Sequence, residues 1–305
     1  MKNHNLTIAI PAYNEQNSLT QLLADIRRQS LKNLKEIILI SDGSIDNTNK
    51  IIRDYKYSGV KINRIIDKQR KGKIYRLNQI FSHASTPFLI VLDADIKLEE
   101  QSLQRLLASA IKSDAVLTVS HQIPIEPSTF VGQVIFSGYR LWDDMRTSNL
   151  KYLDHVENFY GASSLYAKRF YSALKVPLVF QDERKFIYYS AKQLGKFDYE
   201  KTSVIYYHPV STLRDFFFLK SREENIKTNI LRLFGNNAKG SLKIPLKYKL
   251  NILGKHFFTD PFRILAFLIL KYLTKHLSTG DPLISRGMWT ISASTKTGFS
   301  SKNYA

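Results

Sequence analysis

The chain has 305 residues, 44% apolar and 23% charged, with no cysteine. That excludes a disordered or fibrous chain, disulfide staples, cysteine–zinc sites and thiol catalysis. Lysine and arginine exceed aspartate and glutamate by 45 − 26 = 19, which favours polyanionic partners: nucleic acid, anionic lipid headgroups or phosphorylated substrates.

The first 120 residues alternate strand and helix. Residues 6–10 form a short apolar run that stops at Pro11, and Leu19, Leu22, Leu23 and Ile26 then fall on one helical face. Further buried strands are expected at 36–41, 62–66, 88–92 and 115–119, with helices near 47–56, 73–83 and 100–112 between them. This alternation implies parallel crossovers and a doubly wound α/β sheet, in which ligands bind at the carboxyl ends of the strands. Residues 1–10 are too short and polar for a signal peptide, so no targeting segment is expected.

Beyond residue 120 the pattern loosens. Residues 121–150 read as a loop and a helix, 182–194 as a helix, 203–207 as a strand and 211–234 as a helix. Residues 239–277 interleave lysine and arginine with leucine, isoleucine and phenylalanine. Their apolar run at 264–270 is far shorter than the about 20 residues of a membrane span. Two readings stand side by side: an interfacial helix on an anionic membrane, or a helix packed on the catalytic domain with its lysines in water. The last ten residues are polar and expected to be mobile.

The residues that follow the strands are acidic and turn-forming. Asp93-Ala94-Asp95 follows the 88–92 strand directly. Two carboxylates at i and i+2 supply hard oxygen ligands for Mg²⁺ or Mn²⁺, although such a pair is also an ordinary solvated turn. Asp42-Gly43-Ser44 with Asp46 follows the second strand. There Ser44 or Asp46 can cap the next helix while Asp42 faces a nucleobase or ribose. Arg70-Lys71-Gly72-Lys73 precedes a helix, and cations beside a helix amino end favour phosphate. No Walker loop and no Gly-x-Gly-x-x-Gly motif occurs.

Pro11-Ala12-Tyr13-Asn14-Glu15, Asp42-Gly43-Ser44, Gly72-Lys73 with Leu77-Asn78, and Asp93-Ala94-Asp95 together resemble the family-2 glycosyltransferases of the GT-A fold over about residues 1–215. The resemblance implies an inverting transferase that uses a nucleotide-diphosphate sugar. It places Pro11, Tyr13 and Glu15 at the nucleoside, Asp42 at the base, Lys73 near the nucleotide and Asp95 on a Mg²⁺ or Mn²⁺ ion, with Asp93 supporting metal or ribose. Phe159 to Leu165, with Gly161, resembles the acceptor-side strand. Gln181-Asp182-Glu183 resembles the segment that carries the catalytic base, with Asp182 the better match and Glu183 the runner-up on the acceptor side. His208 resembles a further metal ligand and reads equally as a structural histidine. Arg222 matches the arginine of the helix motif of processive synthases, but Leu219 and Glu223 replace its glutamine and tryptophan, which argues for a non-processive enzyme.

The implied organisation is a catalytic domain at 1–215, with a nucleotide-sugar half at 1–120 and an acceptor half at 121–215, and a basic helical extension at 216–305. The implied partners are a nucleotide-diphosphate sugar and a hydroxyl acceptor, with lipid-linked carriers favoured. The expected location is cytoplasmic, peripheral on the inner face of the plasma membrane, in cell-envelope synthesis. The rival readings are a basic nucleic-acid-binding protein, which lacks any recognisable nucleic-acid motif, and an inactive relative, against which the intact Asp93, Asp95 and Asp182 speak.

Overall fold

The computed structural model of the protein describes residues 4–149, 152–178, 183–225, 233–234, 244–277 and 292–299. The chain divides into two units, one of residues 1–123, 159–207 and 296–305 and one of residues 124–158 and 208–295. These limits differ from the expected boundary at 215. The helix after the sixth strand joins the later helices, and the segment from Lys296 onward belongs with the first unit.

The first unit is built on one sheet. Its strands are β1 (Leu6–Ala12), β2 (Leu34–Asp42), β3 (Lys61–Asp67), β4 (Phe88–Leu92), β5 (Ile96–Leu98), β6 (Leu117–Pro124), β7 (Ser163–Ala167) and β8 (Phe197–Tyr207), in the order β3-β2-β1-β4-β7-β6-β8-β5. β3, β2, β1 and β4 are parallel. β7 returns antiparallel to both β4 and β6, and β5 pairs antiparallel with β8. The parallel part coincides with the stretch where strand and helix alternate in sequence. The antiparallel part begins where that alternation stops, so the fifth expected strand became an antiparallel one shifted to Leu117–Pro124.

Helices α1 (Leu19–Arg28), α2 (Thr48–Asp54), α3 (Lys73–His83) and α4 (Ser102–Ser113) supply the crossovers. Leu19, Leu22, Leu23 and Ile26 of α1 are all buried. They close over Ile8, Ile10, Ile37 and Leu39 in one apolar cluster. Burying each such side chain stabilises the fold by about 1.5–3 kcal/mol before the entropy of ordering is set against it.

The second unit is helical. α5 (Phe130–Thr147) packs with α9 (Leu246–Thr259) and α10 (Pro261–Leu277), and α8 (Leu213–Asn225) joins α10. Its core holds Ile135, Val210, Phe216 and Leu270, with Leu219 and Phe267 packed against them. A Cβ at Gly138 would sit 2.1 Å from the Phe267 ring, so glycine leaves the room on α5 that this ring of α10 fills. Arg263 of α10 also bridges to Glu126 at 3.0 Å, and His256 of α9 to Asp144 at 2.9 Å. The basic helix is therefore packed along one face. Its other face leaves Phe262, Leu265, Ile269 and Tyr272 exposed, and Phe258 of α9 is 90% exposed. No helix among the described residues is long and apolar enough to cross a membrane.

Candidate active site

The carboxyl ends of β1, β2, β3 and β4 converge on one group of charges. Asp42 and Asp67 end β2 and β3 and pair in register. Arg76, one turn into α3 (Lys73–His83) and fully buried, lies between them at 2.7 Å from each. Asp42 also accepts the backbone N–H of Lys71 at 2.8 Å and of Gly72 at 2.9 Å. Its carboxylate thus moulds the 70–73 loop and aligns the start of α3. Gly43, at φ +75°, backs onto that loop, where a Cβ would lie 2.6 Å from the Arg70 nitrogen. Arg76 holds the Asp67 carboxyl below the usual carboxylate range against the opposing effect of burial, with Lys71 assisting.

The loops after β1 and β2 are tied together. Asn14 N–H donates to Ser44 Oγ, Glu15 N–H to Thr48 Oγ1 at 2.7 Å, and Gln16 N–H to Asp46 Oδ2. Asp46 Oδ1 accepts Thr48 N–H at 2.9 Å in an Asx turn that leads into α2 (Thr48–Asp54), while the N-cap position itself falls to Asn47 rather than to Ser44 or Asp46. Pro11 lies within β1, beside Ile40 of β2. Tyr13 stands half-buried above the loop with the Arg70 guanidinium 4.4 Å from its ring centre.

Asp93 and Asp95 follow β4. Asp93 N–H donates to the carbonyl of Ala162 at 2.8 Å, which seats Gly161 and the start of β7 beside the acidic pair. Lys73 reaches across from α3 to Asp93 at 2.7 Å and stands 3.5 Å from Glu183 at the start of α7 (Glu183–Leu194). Burial pulls the Lys73 ammonium down, but Asp93, Glu183 and Asp95 outweigh it and raise its pKa. Burial and the adjacent Asp93 carboxylate push Asp95 up to about 6, although Lys73 draws it the other way. Lys73 is thus taken up by Asp93, and the shortage of positive charge falls on Asp95. Hard carboxylate oxygens in that condition fit a divalent cation. Among the described residues no three His, Asp or Glu side chains are gathered as metal ligands.

Glu183 is buried, and its Oε2 has no hydrogen-bond partner among the described residues. Asp182 lies outside the described residues. His208 opens the second unit, and burial lowers its imidazole below the ordinary value, which keeps a lone pair available. Arg222 is on α8, and its side chain lies outside the described residues. Two contributors were not anticipated from sequence. Arg76 is one. The other is Lys296, which forms ion pairs with Glu15 and, at 3.8 Å, with Asp95. The sequence signal for Arg76 was its spacing of three from Lys73, on the face of α3 that carries Leu77 and Ile80 inward. For Lys296 there was none.

Residues 7–173 match the family model for glycosyl transferase family 2. The chain belongs to that family. Among solved structures, this transferase is similar in fold to a mannosyltransferase from Pyrobaculum calidifontis in complex with GDP-Man and Mn²⁺. The TM-score is 0.59 at 14% identity, over 90% of this chain and 76% of that one. It is similar too to S. aureus TarS residues 1-349 in complex with UDP, with a TM-score of 0.54 at 16% identity over 89% and 87% of the two chains. These neighbours support the GT-A fold expected from the sequence. In sequence, 118 residues are 32% identical to the undecaprenyl-phosphate 4-deoxy-4-formamido-L-arabinose transferase of Klebsiella pneumoniae, and 121 residues are 35% identical to that of Salmonella choleraesuis. Each match covers 37% of this chain and 36% of the relative, so the chain spans about a third of the length of these curated relatives.

Proposed function

We propose that this transferase moves a sugar from a nucleotide-diphosphate donor to a hydroxyl acceptor, with inversion and without processivity. The observation that carries the reading is the grouping of Asp93, Lys73 and Glu183 at the ends of the parallel strands, with Asp95 left short of positive charge. Tyr13, Glu15 and Asp42 shape the nucleoside end, with Pro11 and Gly43 setting the backbone there. Asp95, supported by Asp93, would hold Mg²⁺ or Mn²⁺, and His208 is the candidate for a further ligand. When bound, that ion would neutralise charge on the leaving diphosphate. Mn²⁺ is named with two of the solved neighbours, which supports a divalent ion for this chain.

The base must take the acceptor proton as the acceptor oxygen attacks the anomeric carbon and the bond to the diphosphate breaks. Glu183 is our assignment, because a buried carboxylate oxygen with no partner among the described residues is costly unless a further group, such as the acceptor, meets it. Asp182, favoured by the resemblance, is the alternative that mutation separates. Lys73, fixed between Asp93 and Glu183, supplies positive charge near the diphosphate. Gly161 keeps the acceptor-side backbone close to the acidic pair, and Arg222 stays a candidate for the donor.

The acceptor is proposed to be lipid-linked and presented at the cytoplasmic face of a membrane. Two relatives are named for undecaprenyl phosphate. The exposed Phe258, Phe262, Leu265, Ile269 and Tyr272 lie among Lys249, Lys255 and Lys271, as an interfacial surface requires. On this reading the enzyme acts in cell-envelope glycan or glycolipid synthesis. A panel of UDP- and GDP-sugars with Mn²⁺ tests the donor class. At least one should raise the melting temperature more than an oligonucleotide of equal charge. A larger shift with the oligonucleotide would instead favour nucleic-acid binding.

A further inference from the structure

The segment from Lys296 to Phe299 is not a free tail. Lys296 carbonyl accepts Asn17 Nδ2–H at 3.2 Å, and Gly298 lies so near the Asn17 carbonyl that a Cβ would stand 2.9 Å from it. Held by these contacts with Asn17, Lys296 aims its ammonium at Glu15 and Asp95. Glu15 is already positioned: it is buried, and its Oε2 accepts the Ser18 hydroxyl at 2.9 Å. Asp95 is different. Lys73 is committed to Asp93, and among the described residues Lys296 is the one cation within 4 Å of Asp95.

We infer that Lys296 is a donor-site residue, its ammonium facing Asp95 while the site is empty and the donor diphosphate once the site is filled. The inference rests on the reading of Asp95 as the metal-side carboxylate. An ammonium and a divalent ion repel strongly at this range in a partly buried site, so Lys296 and the metal compete for Asp95 when no nucleotide is present. A nucleoside diphosphate reverses the relation, because its added negative charge gives the ammonium a second partner beside Glu15 in place of Asp95. The flexible four-carbon stem allows that exchange without moving the backbone.

The experiment uses the full chain as wild type, Lys296→Gln and Lys296→Arg. Mn²⁺ alone is titrated by electron paramagnetic resonance, and UDP and GDP are then titrated by calorimetry at saturating Mn²⁺. Lys296→Gln should bind Mn²⁺ alone about tenfold more tightly and the preferred diphosphate about tenfold more weakly. Lys296→Arg should follow wild type in both. This opposite pair of changes is what a purely structural contact would not produce. Loss of packing at the segment would weaken both ligands together, and that result, or any other pattern in Lys296→Gln, overturns the inference while leaving the proposed function in place. A wild type that binds neither Mn²⁺ nor either nucleotide removes the proposed function and the inference with it.

Discussion

The strand ends of the first unit and the helices of the second use charge in opposite ways. At the strand ends, Arg76 is withdrawn from water and matched with Asp42 and Asp67, beside the half-buried pairing of Lys73 with Asp93 and Glu183. In the helical unit Arg146 and Asp143 are also withdrawn, but Arg263 with Glu126 is more open. Further lysines lie beside aromatic and aliphatic side chains that face outward. The first arrangement costs desolvation and yields fixed geometry. The second costs little and leaves a surface able to meet a partner. The comparison implies that the same type of mutation has different consequences in the two places.

The largest expected effect is on the buried network. Arg76→Ala strands Asp42 in the interior and should lower unfolding free energy by about 3–5 kcal/mol. Arg263→Ala in the helical unit should cost under about 1 kcal/mol. Urea titration of both variants checks the contrast, and similar losses would erase it. Next is catalysis. Glu183→Gln should cut turnover by about 10² or more with donor affinity nearly kept. If Asp182→Asn is crippled and Glu183→Gln is not, the base is the other carboxylate. If both turn over normally, the acceptor ionises without help, as a polyprenyl phosphate would.

Much of the parallel sheet was legible because strand–helix alternation is a local pattern. The strand at 88–92 and the helix at 73–83 fall where the apolar spacing puts them. So do the acidic turns that follow β2 and β4, since a parallel sheet gathers the ends of its strands at one edge. Arg76 was marked in sequence only by its helical face, not by its partners. Its burial depends on Asp42 and Asp67 standing side by side, a register between β2 and β3 that neither segment encodes alone. Lys296 was further out of reach, since it meets Glu15 across a separation of 281 residues. For the helix at 262–277, periodicity could not choose between packing and a free surface. Gly138 against Phe267 shows why the answer is one face of each.

The exposed face gives a smaller effect, confined to the second unit. Replacing Phe258 and Phe262 together with serine should reduce partition onto anionic vesicles by about tenfold or more, with folding unchanged. Binding by wild type should weaken with added salt. Equal flotation of wild type and double variant would remove α9 and α10 from membrane contact.

The smallest effect sharpens the first unit through pH. Because Arg76 lowers the Asp67 pKa in the folded chain, the ionised carboxylate contributes stability above the ordinary carboxylate value near about 4. That contribution is lost as pH falls through the lowered folded value. Asp67→Asn should therefore lose less stability than wild type on acidification below about pH 4, read as the difference in melting temperature between neutral and acid buffer. An identical acid dependence in the two proteins would show that the Asp67–Arg76 pair contributes nothing to it.

The central claim is that the carboxylates after β4 form the metal-side of a sugar-transfer site. It is tested most directly by transfer of a radiolabelled sugar from the preferred nucleotide donor, with wild type and Asp95→Asn, each in Mn²⁺ and in EDTA. The account predicts transfer by wild type in Mn²⁺ and its collapse both in EDTA and in Asp95→Asn, with the variant still folded. Undiminished transfer by Asp95→Asn in EDTA would contradict it.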